Sequence, residues 1–179
     1  MGNIVVAYKT KYGHTKKYAE WFSEALNCDL CEGSEINADK LLKYDTVIYG
    51  GGLYASGILG IDLITKNFDK LINKNIIIFT VGLADPNIKS QFTGIINKNF
   101  TEEMQKHIHV FHLRGGINYK ELGIVHKAMM AALKSMVKNK KEEEITDEDR
   151  MMLKTYGDAV DFTDKTTIEP IVSYVRSLC

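Results

Sequence analysis

The chain lacks most of the features that would commit it to a membrane, an export route or a polyanionic partner. No stretch approaches the roughly 18 consecutive apolar residues that a spanning helix needs. Neither sign of charge is in excess: Lys plus Arg is 23 and Asp plus Glu is 23. The basic balance that favours nucleic acid is therefore missing, and no nucleic-acid partner is expected. The strong acidic field of many soluble electron carriers is missing too, although local patches remain open to either sign. The N-terminus has no basic region, apolar stretch and cleavage site of a signal peptide. Met1-Gly2 is followed by Val6 where a myristoylated chain would carry Ser or Thr. A cytoplasmic location is expected.

Cysteine is scarce and odd in number: Cys28, Cys31 and Cys179. With no export signal, these read as reduced thiols. Cys28-Asp29-Leu30-Cys31 spells C-x-x-C, but "CDLCE" reads as a strand, on which residues three apart point to opposite faces. Ordinary packing is the expectation, and no metal is assigned. The two prolines, Pro86 and Pro170, stand just past a strand and in the first turn of the final helix.

What is present alternates. "NIVVAY" (3–8), "CDLCE" (28–32), "DTVIYGGG" (45–52), "NIIIFTVG" (75–82) and "HIHVFHL" (107–113) read as strands. Helical patterns cover 15–27, 58–71, 88–100 and about 167–178, the last capped by Thr166 or Thr167. Continuous Val/Ile-rich strands between helices predict an α/β protein whose parallel sheet is covered on both faces. Right-handed crossovers give a doubly wound five-stranded sheet of order 2-1-3-4-5. Residues 114–165 are then a helical insertion between the fifth strand and the last helix. It contains a Met-rich helix over 121–137, with Leu122, Val125, Met129, Leu133 and Met136 on one stripe. A charge run over 138–149 reads as a solvated loop, and Thr146 reads as the cap of a further helix. The helix is expected to pack on the body of the protein; a membrane surface or a flat apolar substrate is the alternative. A single domain over residues 1–179 is expected.

In such a sheet, ligands bind beyond the carboxyl ends of the strands, near the switch point. Four glycine-bearing loops lie at that edge: "TKYGHT" (10–15), "GGGLYAS" (50–56), "TVGLADP" (80–86) and "HLRGGINY" (112–119). The first precedes a helix, whose N-terminal N–H groups and dipole favour an anion, with Thr10 and Thr15 adding hydroxyls. It lacks the Lys of a P-loop and the G-x-G-x-x-G of a dinucleotide fold. A receiver domain is excluded, because Lys9-Thr10 and Gly50-Gly51-Gly52 stand where its acids belong. His107, His109 and His112 form H-x-H-x-x-H on a strand, with no acidic or Cys partner nearby in sequence. No acid pair or G-x-S-x-G nucleophile is present, so no catalytic residue is named.

"TKYGHT" resembles the flavodoxin phosphate loop, T/S-x-T/S-G-x-T: Thr10, Gly13 and Thr15 match, and Tyr12 replaces a small hydroxyl residue. With "VIYGGGLYASG", "FHLRGGINYKELG" and "YGDAVDFTD", nearly the whole chain resembles the flavodoxin-domain family that includes menaquinone-dependent protoporphyrinogen oxidase. The resemblance implies bound FMN. Its phosphate would take the N–H groups of Lys11, Tyr12, Gly13, His14 and Thr15 and the hydroxyls of Thr10 and Thr15. Leu53, Tyr54 and Ala55 would line one side of the flavin ring, and Gly82, Leu83 and Ala84 the other. The Gly51-Gly52 backbone would meet flavin N5. Arg114 would pair with the flavin, a quinone or a substrate propionate, or equally with a nearby carboxylate. The second flavin loop carries no aromatic residue, so a two-aromatic sandwich is not expected. Three functions follow as alternatives. One is an oxidoreductase resembling the quinone-linked oxidase, working on a small-molecule or quinone partner. Another is an electron carrier between redox proteins. The third is a flavin-free binding module. No transmembrane segment is expected; peripheral membrane contact and oligomeric state stay open.

Overall fold

A computed structural model describes residues 3–178, with backbone only for Asp147 and Glu148. Met1, Gly2 and Cys179, on which the reading of the N-terminal glycine and of the third cysteine fell, lie outside the described residues. In chain order the elements are β1 (Ile4–Lys9), α1 (His14–Leu26), β2 (Asp29–Glu32), α2 (Ala38–Leu41), β3 (Thr46–Tyr54) and β4 (Gly57–Ile58). Then come α3 (Asp62–Thr65), α4 (Phe68–Leu71), β5 (Asn75–Gly82), α5 (Ser90–Asn99), α6 (Glu102–His107) and β6 (Ile108–Arg114). The remainder is β7 (Gly116–Asn118), α7 (Ile124–Lys138), α8 (Asp147–Thr155), β8 (Ala159–Asp161) and α9 (Glu169–Ser177).

The expected doubly wound sheet is present. Five parallel strands run β2-β1-β3-β5-β6, which is 2-1-3-4-5 counted over parallel strands. Strand alternation divides the apolar residues between two cores. Val6, Ile48, Ile77 and Phe79 meet Tyr18 and Phe22 of α1 and Ile171 and Val175 of α9. Val5, Val47, Tyr49 and Ile78 meet Leu41, Ile64, Phe68, Leu71 and Phe100 on the other face. Each such large side chain, fully buried, contributes about 1.5–3 kcal/mol, so the sheet is held from both sides.

Several expected boundaries move. The helix read over 58–71 is not continuous. β3 runs past its glycines, turns at Ala55-Ser56 and pairs with β4, Leu53 opposite Ile58. Ile58 is thus taken by the sheet, and α3 and α4 break at Asn67, whose backbone leaves helical values. His107 closes α6 and touches Phe68; it does not share a strand face with His109. The charge run holds a 3-10 turn at Glu142–Glu144 and the start of α8. Thr146 caps α8 as expected, its Oγ1 accepting from Asp149 N. The final helix enters through a 3-10 turn capped by Asp164, not by Thr166 or Thr167. Burial pushes the Cys28 thiol up to about 11 and raises Cys31, so neither is an activated nucleophile.

The insertion contains a feature that periodicity did not reveal. β7 and β8 form an antiparallel ribbon, Gly116 opposite Asp161. Its two ends are tied to α1 by one side chain. The fully buried Tyr18 donates its hydroxyl to Arg114 O (2.8 Å) and accepts from Asp164 N (3.1 Å). Tyr18→Phe removes the donor and leaves a backbone N–H without its acceptor. A loss of about 1–3 kcal/mol is expected by chemical denaturation, against no loss if water replaces the hydroxyl.

A second stability effect depends on pH. His112 pairs with Thr80 Oγ1 (2.6 Å) and stacks on Phe92 (3.8 Å between ring centroids). Burial lowers its pKa from 6.5 to about 4. The folded state therefore binds the proton less readily than the unfolded chain. The neutral ring's contribution is complete above about pH 6.5 and is lost as pH falls towards about 4. Allowing for its partial exposure, acidification across that window should cost about 1–3 kcal/mol. His112→Gln should flatten the profile; an unchanged slope would assign the acid sensitivity elsewhere.

Candidate functional site

All four glycine-bearing loops enclose one cleft of about 360 Å3 at the carboxyl edge of the sheet. That volume lies in the range of small-molecule and cofactor sites. The lining is mostly apolar. The turn before α1 supplies Thr10, Tyr12, His14 and Thr15, and the end of β3 supplies Gly52, Leu53, Tyr54 and Ala55. Val81, Gly82 and Leu83 come from β5 and its loop, and Gly115, Gly116 and Ile117 from the exit of β6.

The first turn is built as an anion end. Gly13 is the N-cap of α1 with φ +90, a conformation that a side chain would strain. Its N–H donates to Thr10 Oγ1 (3.0 Å), which closes the loop on itself. Residues 14–16 follow as the first turn, where helical N–H groups have no carbonyl ahead of them in the helix. Thr15 is buried at 3% exposure, beneath this ring of donors. Lys17 faces away, donating to Asp161 Oδ2 (3.1 Å) and Thr163 Oγ1 (2.6 Å). Burial acts to raise the Asp161 carboxyl, but the bonds from Thr163 and Lys17 outweigh it and bring it down to about 2. At Gly116 the ribbon comes so close that a Cβ would stand 2.6 Å from His14 Nε2 and 2.4 Å from Val160 O. Only a glycine admits that approach.

α7 forms the remaining wall. Leu122, just ahead of the helix, and His126, Met129, Met130 and Leu133 on it line the cleft, and Val137 continues this row into the protein at 1% exposure. The stripe expected from periodicity is therefore rotated: Val125 and Met136 are exposed, at 69% and 67%. α7 is apolar on more than one face, and periodicity alone does not choose between them.

His126 is the residue sequence reasoning missed. The Tyr12 hydroxyl is hydrogen-bonded to His126 Nδ1 (2.7 Å) and accepts from Gly123 N (3.3 Å). The His126 ring stacks on Tyr54, 4.9 Å between centroids and 13° between planes. Burial, then the nearby Lys11, lower the pKa of His126, which favours the neutral ring. Burial, then Tyr12, push the Tyr54 hydroxyl up to about 12. Three elements distant in sequence thus meet at the mouth of the cleft. A helical signal existed: Leu122, His126 and Met130 recur at i, i+4 and i+8, one face of a helix.

The other expected site residues stand outside the lining. Lys11 lies over the Tyr12 ring, 5.9 Å from its centroid. Gly51 packs against β4, where a Cβ would meet Ile58 Cγ2 at 2.5 Å. Ala84 and Arg114 line a neighbouring cavity. Arg114 Nε donates to Leu83 O (3.0 Å) and its guanidinium lies 4.1 Å from the centre of the Phe162 ring. Among the described residues, no group of three or more His, Cys, Asp or Glu is arranged to hold a metal. No helix among them is long and apolar enough to cross a membrane.

A parallel sheet of this order, with an anion-suited turn after its first strand and a cleft at the switch point, defines the flavodoxin-like class. A family model described as "Flavodoxin domain" matches residues 5–144, and the chain belongs to that family. Among solved structures it is similar to a flavodoxin, a WrbA-like protein from Agrobacterium tumefaciens. Identity there is 22%, covering 55% of this chain and 74% of that one, with a TM-score of 0.41. It is also similar to a Lactobacillus acidophilus flavoprotein solved in complex with FMN, at 16% identity over 64% and 93%, with a TM-score of 0.42. Flavodoxin 2 from Bacillus cereus matches at 19% over 63% and 84%, with a TM-score of 0.41. No curated protein matches significantly.

The Tyr12 latch is open to test. Tyr12→Phe removes both hydrogen bonds to the start of α7 while retaining the ring. Amide exchange in the first turn of α7 should rise several-fold to about tenfold, with exchange in the sheet unchanged. Equal exchange in both proteins would mean that α7 is held by its apolar contacts alone.

Proposed function

We propose that the protein is an FMN-binding redox flavoprotein. Residues 1–179 act as one flavodoxin-like unit whose insertion, approximately 114–165, covers the cofactor. One observation carries this reading: the anion-suited turn at residues 10–15 opens into the same cleft as the loops after β3 and β5. A ligand with a phosphate at one end and a flat apolar ring at the other matches that arrangement. The phosphate would be held by the hydroxyls of Thr10 and Thr15 and the N–H groups of residues 11–15. The ring would lie against Leu53, Tyr54 and Ala55 on one side and Gly82 and Leu83 on the other. Ala84 and Arg114 would act from behind this layer, Arg114 by fixing the Leu83 carbonyl. Bound FMN supplies one- and two-electron transfer; the chain supplies binding, orientation and exclusion of water. Tyr12, Tyr54 and His126 do the last of these at the mouth, with α7 behind them.

The finer reading is an oxidoreductase resembling the quinone-linked protoporphyrinogen oxidase. α7 supports it over a protein-to-protein carrier, because a helix across the cleft narrows approach for a protein while leaving room for a small molecule. The outward residues Ile124 (88% exposed), Val125 and Met136 also suit an apolar or membrane-borne partner such as a quinone. Lys127, Lys134 and Lys138, with no acid on α7, suit an anionic surface beside it.

Reconstitution tests the cofactor. FMN should bind at least about tenfold more tightly than riboflavin, through charge-assisted bonds to its phosphate. Thr15→Val should narrow that gap and leave riboflavin binding unchanged. A protein that is colourless as purified and cannot be loaded with FMN would sink the proposal. On loaded protein, turnover of protoporphyrinogen that rises with menaquinone would support the oxidase; no turnover in either condition would leave the carrier.

A further inference from the structure

The insertion is hollow. A second cavity, of about 420 Å3, lies between α7, α8, the β7–β8 ribbon and the loop after β5. Four side chains border both this cavity and the first cleft: Leu83, Ile117, Met130 and Leu133. The two chambers are therefore separated by one apolar layer. Met151, Met152 and Phe162 extend that apolar surface around the second chamber. Methionines have unbranched, polarizable side chains that reshape around a flat guest.

One cation in this wall has no acid partner among the described residues. Arg114 gives its Nε to the Leu83 carbonyl, rests its flat face near Phe162 and turns Nη2 to the sulfur of Met151 (3.5 Å). Thioether sulfur is a weak acceptor, so the guanidinium retains donors for a stronger one. Among the described residues, no carboxylate forms an ion pair with Arg114. The other charged pair in the wall is self-contained: Lys140 Nζ stands 2.7 Å from Asp149 Oδ2. Thr146, Thr155 and Gln91 add polarity without net charge. Among the described residues, the chamber thus presents an apolar surface with one uncompensated positive group, whose planar fork suits a carboxylate.

We propose that this chamber binds an apolar aromatic acid, with its carboxylate on Arg114 and its ring among the methionines. Its position beside the first cleft makes it a site for a redox partner of the flavin, a clause that rests on the FMN reading. The binding itself does not.

Naphthalene-2-carboxylate and its neutral counterpart naphthalene-2-carboxamide separate these terms when titrated by calorimetry into the full chain, with and without FMN. The carboxylate should bind at least about tenfold more tightly than the amide, in line with a charge-assisted pair. Arg114→Gln should bring the two affinities together, and Arg114→Lys should retain part of the difference. Equal affinities in the unaltered chain, or a difference that survives Arg114→Gln, would overturn the proposal. So would no binding of either probe. If Arg114→Gln fails to fold, the comparison in the unaltered chain still decides. In FMN-loaded protein, the carboxylate should also shift the flavin absorption bands. Binding without that shift would overturn the adjacency to the flavin and keep the acid site; failure to load FMN would remove the first reading alone.

Discussion

The Tyr18 hydroxyl ties the two ends of the insertion to the first helix. It sits in the first core, with 0% exposure, and joins the carbonyl at the end of β6 to the amide at the return of the insertion. A buried phenol needs partners, since leaving it unpaired in an apolar core costs free energy. Here the partners are the two points at which the chain leaves the sheet and comes back to it. The fixed spacing lets β7 pair with β8 and brings Gly116 against His14. Gly115 then donates to Gly82 O (2.7 Å) and accepts from Phe162 N (3.0 Å), locking the exit of β6 to the end of β5. The walls of the cleft contributed by the insertion are placed by this chain of bonds, and α7 follows from it.

That dependence explains which parts of the molecule could be read from the sequence. The sheet and its order are legible mainly through β1, β3 and β5, which bury runs of Val and Ile, while β2, a largely exposed Asp-Leu-Cys-Glu edge, carries the weakest signal. Turn chemistry makes the loops legible, and most residues expected of the first three line the cleft. The insertion is different. Its ribbon consists of three-residue strands, too short for alternation to register. Its helix carries apolar residues around most of its circumference, so pattern leaves the inward face undetermined. Of the expected stripe, Leu122, Met129 and Leu133 line the cleft but Val125 and Met136 are exposed, while His126 and Met130 face inward. The β3–β4 hairpin was hidden for another reason. Its turn residues are Ala55 and Ser56, not the glycine and asparagine that such turns favour.

Those two residues have φ of +47 and +64. Left-handed backbone costs a residue with a side chain about 1–2 kcal/mol. The cost is offset from α5 and its end. Lys98 Nζ donates to Ala55 O (2.7 Å) and Asn99 Nδ2 to Ser56 O (2.8 Å), while Asn99 Oδ1 accepts from Ile58 N (3.2 Å). The turn is over-determined by its neighbours, the condition under which strain persists at functional loops. Its effect is to hold Tyr54 and Ala55 at the mouth of the cleft.

Tyr54 also resolves the missing second aromatic. The loop after β5 offers Gly82, Leu83 and Ala84, with no ring among them, so a sandwich between two loop aromatics is unavailable. The aromatic partner comes from the insertion instead. His126 stacks on one face of Tyr54, and Tyr12 is bonded to His126 while lying 6.5 Å from Tyr54. Tyr12, the residue that departs from the usual phosphate-loop pattern, is therefore the one that couples the loop to α7. Its bulk does not fill the anion turn, because its hydroxyl reaches across to Gly123 and His126. With an imidazole stacked on one side and apolar side chains behind, Tyr54 presents a largely apolar ring to the cleft. Such a surface favours a flat, weakly polar ligand over a charged one at that end of the cleft, while the turn at Thr10–Thr15 favours an anion at the other. The polarity of the site is set along its length by those two ends, and the insertion supplies the half that the loops alone do not contain.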